Sequence, residues 1–450
     1  MDAKVRLDSF FNSAKLLENT LLMSDSLSSP LRLGLLGCGT VGGSFVKALQ
    51  QRAADWKRLG LPECRVEKIM VRSLQKERNL PVDKSVYTTD SDLVVGSGDI
   101  DVVVALMGGM QPESGLIRRA LQAGQHVITA NKAIIAVRGA DLEQTALDNN
   151  VALLYEAAVA GGLPALRNLK SHFLPNGVTR IEAILNGTCN FMLGEMKAGK
   201  SYDDALKKAQ ELGFAEADPT MDVSGQDAAQ KLAILATMAF GQRSSDNHVH
   251  NRGIEQLGAA DLDYAQANGM QLILLAQGMP SRSSGCTLSV VPTFVAADSG
   301  MARAEGPNNI MMLETEGGGP FESMALGAGG APTAASVMAD LASLATGAWK
   351  GEFPGILAKA GENALGDAPD EAALPYVQYR HSWYIRTDDA ESASHLRAAL
   401  ESDEVKIGEN GAGVLEVQNI SLSDLKQAMG DQFASATVVQ YHPSLTPKLI

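Results

Sequence analysis

A glycine loop set between an apolar run and a helix-type pattern is the most restrictive feature of this chain. Leu31 to Leu36 is short and apolar, Gly37-Cys38-Gly39-Thr40-Val41-Gly42 follows at once, and Phe45, Val46 and Leu49 then recur at helical spacing. Strand, G-x-G-x-x-G turn and helix in that order form the setting in which such a motif holds a dinucleotide. The first glycine permits the tight turn and the second lets backbone approach a pyrophosphate. The third lets helix and strand pack closely, with the helix N-terminus facing negative charge. Gly37, Gly39, Thr40, Val41 and Gly42 are therefore candidate cofactor contacts. A glycine-rich turn without a ligand is the plainer alternative, and Cys38 reads as a small turn residue.

The pattern after the loop continues the theme. Val66 to Val71, Ile100 to Met107, His126 to Thr129 and Val151 to Leu154 read as strands, and Ile117 to Ala123 as a helix. The run from Ile100 is almost wholly apolar, as expected of a strand buried on both faces. This rhythm predicts an α/β fold: a Rossmann-type, doubly wound parallel sheet. It spans 31–164 and is completed by about 331–350. Residues 165–330 mix helices (Asp203 to Leu212, Asp227 to Phe240) with strands (Thr287 to Phe294, Ile310 to Glu314) and form an α+β catalytic and dimerisation domain. Residues 351–375 read as a Pro- and Gly-containing linker, and 376–450 as strand, helix, strand, strand, helix, strand. Residues 1–30 stand apart as an N-terminal extension. Val5, Phe10, Phe11, Leu16 and Leu17 share a loose helical face, which fits either a frayed segment or a helix docked on a partner subunit.

The end of the second strand bears on the choice of cofactor. NAD binders place an acidic residue there for the ribose hydroxyls. Here Met70-Val71-Arg72-Ser73 is followed by Lys76 and Arg78. Arg72 suits a 2′-phosphate, which favours NADP with NAD also usable; a solvated surface charge is the alternative.

Charge and cysteines bound the partners. A net charge of −14 over 450 residues disfavours nucleic acid and anionic membrane surfaces. Cys38, Cys64, Cys189 and Cys286 include no CxxC pair, so reduced thiols and a cytoplasmic setting are expected. No apolar run approaches the ~18 residues of a membrane span, and the N-terminus lacks the pattern of a secretion signal.

Several further segments carry a resemblance. Thr129-Ala130-Asn131-Lys132 ends a predicted strand, at the edge where open α/β sheets bind ligands. Tyr155 to Pro164, Leu185-Asn186-Gly187-Thr188-Cys189-Asn190 and Gly213-Phe214-Ala215-Glu216-Ala217-Asp218-Pro219-Thr220 follow, leading through Asp222, Gly225 and Asp227 to Lys231. From about Leu31 to about Gly347 the chain resembles the homoserine dehydrogenases. The resemblance implies interconversion of L-homoserine and aspartate β-semialdehyde with NAD(P), a small-molecule substrate, and a homodimer or homotetramer. It implies Lys231 and Lys132 as catalytic residues and Glu216 and Asp227 as substrate-binding residues. It implies cofactor contacts also at Met107, Gly108, Thr129, Lys132, Gly213 and Gly329. It further implies a monovalent cation, usually sodium, at Glu156 and the carbonyls near Val159, Gly161 and Leu163. The chain departs from the family at Ala158, where Ser or Thr is usual, and at Ala160, where Gly is. It departs again at Ala105, where Glu is frequent, and in Ala325-Leu326-Gly327-Ala328-Gly329, which keeps only part of a Gly-Pro-Gly-Ala-Gly loop. These changes bear on the shape of the cofactor pocket more than on the reaction.

The substrate's ammonium calls for carboxylate partners, and Glu216, Asp218, Asp222 and Asp227 offer four. Ser224-Gly225-Gln226-Asp227 also fits an S-x-x-D capping box, so Asp227 has two readings; Asp218 and Asp222 also read as loop and cap residues. Lys231 lies one helical turn on, a spacing that by itself reads most simply as a surface ion pair. Beside Asp227 it is expected to stay charged and to donate a proton or hydrogen bond to the aldehyde oxygen. Lys132 is the second cation, and proton removal from homoserine passes through either lysine or a water between them.

Other features read more plainly. His248-Val249-His250 reads as a surface pair rather than a metal site, and His172 as structural. The tail resembles an ACT-like βαββαβ regulatory domain, although Asp389-Ala390-Glu391-Ser392 stands where such domains often carry Pro-Gly-Val-Leu. A threonine feedback site and a dimer-stabilising module are both open. The rivals to the main reading are a dehydrogenase of another amino-acid aldehyde or imine and a non-enzymatic NAD(P) sensor.

Overall fold

In the computed structural model, residues 30–281, 285–351, 355–361, 375–387, 389–400, 406–409 and 413–445 are described. The expectation for the N-terminal extension therefore lies outside the described residues, as does most of the linker. Within that linker Ile356–Gly361 is helical.

The first sheet is parallel and six-stranded. It contains β1 (Leu31–Leu36), β2 (Cys64–Met70), β3 (Tyr87–Thr88), β4 (Val102–Ala105), β5 (His126–Thr129) and β6 (Leu153–Leu154), in the order β3-β2-β1-β4-β5-β6. Leu33, Leu35, Val102, Val103, Val104 and Ala105 have no exposed surface, so β1 and β4 are covered on both faces by helices. The strand order reverses between β1 and β4, which opens a crevice at the C-terminal strand ends. The strand expected over Ile100 to Met107 is shorter, because the backbone N–H groups of Met107 and Gly108 turn aside to the Glu113 carboxylate at 2.9 and 3.0 Å. Four helices matter most here: α1 (Thr40–Gln51), α2 (Glu113–Gln122), α3 (Lys132–Asp148) and, far later in the chain, the helix Gly330–Ala345. The last returns to pack Ala334, Val337 and Leu341 with Phe45 and Val46 of α1 in one core.

The second sheet is ten-stranded and mixed. It is built from β7 (Val178–Ile184), β8 (His250–Asn251), β9 (Met270–Ser281), β10 (Gly285–Ala296), β11 (Asn308–Thr315), β12 (Gly319–Leu326), β13 (Arg380–Arg386), β14 (Lys406–Glu409), β15 (Val414–Ser421) and β16 (Thr437–Tyr441). Their order is β12-β11-β7-β9-β10-β16-β13-β15-β14, with β8 beside β10. Against it lie α4 (Gly187–Lys197), α5 (Tyr202–Glu211), α6 (Gln226–Phe240) and α7 (Ala259–Ala267). The tail forms β13, α9 (Ala390–Leu400), β14, β15, α10 (Leu422–Met429) and β16; the returning helix Gly330–Ala345 is α8. Its antiparallel strands run β16-β13-β15-β14. The tail is not set apart from the rest, since β16 pairs parallel with β10 at Thr293↔Gln440 and Phe294↔Tyr441. Arg386 reinforces the join by bridging to the fully buried Asp261 at 2.8 Å.

All four cysteines are free. Among the described residues no helix is long and apolar enough to cross a membrane.

Candidate active site

The glycine loop has the geometry its sequence implies. Gly37 turns with φ +93°, and a Cβ there would lie 2.8 Å from the Leu106 carbonyl oxygen. A Cβ on Gly42 would lie 2.9 Å from the Gly37 oxygen, so helix and turn are in contact. Around Gly39 nothing lies within 4 Å of a Cβ position, leaving its backbone open at the N-terminus of α1. Gly329 is the N-cap of α8. The adjacent Gly330 sits so close to α1 that a Cβ would meet Thr40 Cγ2 at 2.9 Å. The first turns of α1 and α8 thus lie against each other next to the loop, and helix N-termini are a setting for phosphate. Arg72, just past β2, is exposed and makes no hydrogen bond or ion pair among the described residues. Gly213 has φ +76° just past α5, in a turn closed by its own N–H bond to the Gln210 carbonyl.

The charged cluster forms where the two sheets' helices meet. Lys132 is the first residue of α3, whose N-cap Asn131 accepts a hydrogen bond from Ile134 N. Lys231 lies on α6, one turn after Asp227. The Asp227 carboxylate sits between them: Lys132 Nζ is 2.9 Å from Oδ1 and Lys231 Nζ 2.6 Å from Oδ2. Lys231 also donates to the Leu185 carbonyl at 2.8 Å. Asn186 Nδ2 donates to Asp227 Oδ2 at 3.0 Å and to Asp222 Oδ1 at 2.8 Å, while its own Oδ1 caps α4 by accepting from Cys189 N. Burial alone would push the Asp227 carboxyl up, but Lys231 and Lys132 outweigh it and hold the group well below the usual carboxylate range. The same charge, opposed by burial, raises Lys132 above the ordinary lysine value. Burial raises the Asp222 carboxyl. Glu216 is exposed on the adjoining loop, and its charge reaches Lys132.

The capping-box reading of Asp227 is not what the structure contains. Gly225, with φ +80°, is the N-cap of α6, and no side chain caps that end. The left-handed glycine starts the helix one residue later than the Ser224 register requires. Asp227, only 6% exposed, is left free to face the lysines. Asp218 accepts from Thr220 N and Oγ1 and is a loop residue. The surface reading of the histidine pair also fails. His250 is buried and stacks on Tyr376 at 5.1 Å, and His248 Nδ1 bonds the Ser245 hydroxyl at 2.7 Å. His172 packs edge-on against Phe173. Among the described residues no group of three or more His, Cys, Asp or Glu side chains could hold a metal ion.

Glu156, Val159, Gly161 and Leu163 lie in one buried turn. The Glu156 carboxylate accepts from Leu166 N at 3.0 Å and Arg167 N at 2.7 Å, and Glu156 N donates to Asp340 Oδ2 at 2.9 Å. Burial pushes the Glu156 carboxyl up to about 7 and that of Asp340 up to about 8, despite Arg167 and Lys170 nearby. Ala160 takes a left-handed φ of +58° where the resembling family has Gly. Thr129, fully buried, donates from Oγ1 to the Ala105 carbonyl at 3.1 Å and accepts from Asn131 N at 3.1 Å.

Sequence reasoning did not single out Asn186 or Glu113. Asn186 lies in the Leu185–Asn190 motif but carries no charge that would mark it as a partner for ions. Glu113 opens a surface-type helix, where an acidic residue reads as a solvated partner of the helix dipole.

A family model described as "Homoserine dehydrogenase" matches residues 164–342, and one described as "Homoserine dehydrogenase, NAD binding domain" matches residues 37–156. The chain is 36% identical over 365 residues to a homoserine dehydrogenase of Synechocystis sp., covering 80% of each chain. It is 32% identical over 416 residues to that of Lactococcus lactis subsp. lactis, covering 92% of each. A crystal structure of a homoserine dehydrogenase from Thiobacillus denitrificans superimposes with TM-score 0.79 at 33% identity, covering 92% of this chain and 99% of that one. A hyperthermophilic archaeal homoserine dehydrogenase mutant in complex with NADPH is similar at TM-score 0.59 and 26% identity, covering 70% and 97%.

Proposed function

Because the chain belongs to the homoserine dehydrogenase family, we propose that the Lys132–Asp227–Lys231 cluster is its reaction centre. The reaction is the nicotinamide-dependent interconversion of L-homoserine and L-aspartate β-semialdehyde, an oxidoreduction at a primary alcohol in amino-acid biosynthesis. A nicotinamide cofactor supplies the hydride chemistry when bound; Gly37, Gly39, Thr40, Val41, Gly42, Met107, Gly108, Thr129, Gly213 and Gly329 would hold it. The open side of Gly39 and the two adjacent helix N-termini fit a pyrophosphate. Arg72, exposed past β2, supports a preference for NADP over NAD.

The carrying observation is one buried carboxylate clamped by two ammonium groups. Asp227 and the Leu185 carbonyl direct the Lys231 ammonium, so that Lys231 donates a proton or hydrogen bond at the aldehyde oxygen in reduction. In oxidation the hydroxyl proton passes to a water between the two lysines, or to whichever lysine has first released its own proton to solvent. Each carboxylate oxygen has more than one lone-pair site, so Asp227 Oδ1 can also accept from the substrate ammonium, together with Glu216. The decisive assay follows NADP reduction with homoserine in the wild type and in Lys231→Met. Substitution should lower turnover by about 10²- to 10⁴-fold with dinucleotide affinity unchanged; full activity overturns the assignment.

Three further readings extend this one. A monovalent cation, sodium by the family resemblance, fits at Glu156 and the carbonyls of Val159, Gly161 and Leu163. The donors are hard oxygens, and they lie together in one buried turn beside Asp340, which Arg167 already pairs at 3.1 Å. A homo-oligomer, dimer or tetramer, is supported by β12, an edge strand exposing Phe321, Met324 and Leu326. The tail resembles an ACT-like module, and its continuity with β10 favours bracing the catalytic sheet over a threonine site.

A further inference from the structure

We infer that Glu113 is a positioning residue, whose carboxylate ties the loop after β4 to Asn131 and thereby fixes the end of α3 from which Lys132 projects. This rests on the reading of Lys132 as a reaction-centre residue.

Glu113 has no exposed surface. Its Oε1 accepts from Met107 N at 2.9 Å, and its Oε2 from Gly108 N at 3.0 Å and Asn131 Nδ2 at 2.6 Å. Among the described residues no basic side chain forms an ion pair with it, and its acceptors are met by these three N–H donors at the first turn of α2. The carboxylate itself is sealed from solvent, although Gly108 is exposed and Asn131 half-buried, so losing a donor leaves a buried acceptor short of a partner. The donor set also demands a group that only accepts. A glutamine would turn its own N–H groups toward at least one of the three donors.

Asn131 is oriented from both sides. Its Nδ2 donates to Glu113 and to the Gly109 carbonyl at 2.7 Å, while its Oδ1 accepts from Ile134 N at 3.2 Å and so caps α3. The amide cannot flip without losing all three bonds. Lys132 is the next residue, and its ammonium must reach Asp227 Oδ1 from that helix end. The two backbone N–H groups anchor the Glu113 carboxylate to the sheet edge. Through Asn131 that anchor sets where α3 begins, and so where the Lys132 ammonium stands. β4 itself ends in Ala105 and brings no carboxylate to this loop.

The test is a mutant cycle on the full-length enzyme. Glu113→Gln breaks the link at its buried end. Asn131→Ser keeps a capping oxygen but removes the Nδ2 donor, and serves if the first variant does not fold. Each should lower kcat by about 10- to 100-fold, the scale of an ångström-sized misplacement. In a Lys132→Ala background, adding either change should lower kcat by no more than about twofold, because the residue through which they act is gone. Multiplicative losses in that background, or wild-type kcat in folded Asn131→Ser, overturn the inference. If Lys132→Ala alone keeps full activity, the reading of Lys132 fails and this inference falls with it. If Lys132→Ala is impaired while both single variants are normal, only the positioning role fails.

Discussion

Replacing Asp227 with Asn removes one charge from the centre of the cluster, and the structure sets the size of the effect. At 2.6 and 2.9 Å, each lysine–carboxylate pair is worth roughly 6 kcal/mol of Coulomb attraction at an effective dielectric constant of about 20. Desolvating each ion costs several kcal/mol in the opposite direction. Asparagine abolishes the attraction but leaves the desolvation of Lys231, whose side chain is 12% exposed. Lys132, 33% exposed, can turn partly to solvent, so its share is discounted. The net expectation is a loss of about 3–5 kcal/mol.

The pH dependence carries a definite sign. A carboxylate held below its unfolded value of about 3.9 adds stability that is present above that value and lost as pH falls toward its folded one. Lys132, raised by Asp227, adds stability present below about pH 10.4 and lost as pH rises through its folded value. The difference between wild type and Asp227→Asn should therefore be flat from about pH 5 to 9. Below about pH 4 it should shrink by up to about 1.4 kcal/mol per unit. Urea unfolding followed by tryptophan fluorescence at several pH values measures it. A gap under about 1 kcal/mol at pH 7, or one that stays constant into acid, refutes the reasoning.

Two other substitutions separate cofactor contacts from scaffold. Gly39→Ala meets open space, so stability should change by no more than about 0.5 kcal/mol, while dinucleotide affinity falls about tenfold as the methyl blocks the pyrophosphate's approach; unchanged titration of NADPH fluorescence contradicts this. Arg72→Ala should raise the KM for NADP about tenfold, the loss of one charge-assisted contact worth ~1.4 kcal/mol, and leave that for NAD unmoved. An unchanged ratio of the two constants argues for a plain surface charge.

The parts legible in the sequence are those written in short stretches. The glycine loop, β1 and β5 are local patterns, and their apolar runs allow little else. The cluster was different. Lys132 and the Asp227–Lys231 pair lie far apart in the chain, and spacing alone favoured a surface ion pair and a helix cap. Family resemblance supplied what spacing could not. Gly225 defeated the capping box because its positive φ, invisible in the residue letters, delays α6. Glu113 escaped notice because an acid at the start of an amphipathic helix normally points to water. β9 was missed because its buried core, Leu272 to Ala276, is continuously apolar and shows neither the period of a helix nor that of a half-buried strand.

The parallel pairing of β16 with β10 has a practical consequence for anyone shortening this protein. Cutting after 375 would not release a self-contained catalytic unit. It would bare the hydrogen-bonding edge of β10 at Thr293 and Phe294, strip Tyr384 and Tyr441 from the rings of Tyr264 and Phe294, and leave Asp261 buried without Arg386. An uncovered strand edge flanked by apolar rings is a template for self-association. The expected product of truncation is insoluble aggregate rather than an unregulated enzyme, so the role of the tail is better probed by point changes at the seam than by its deletion.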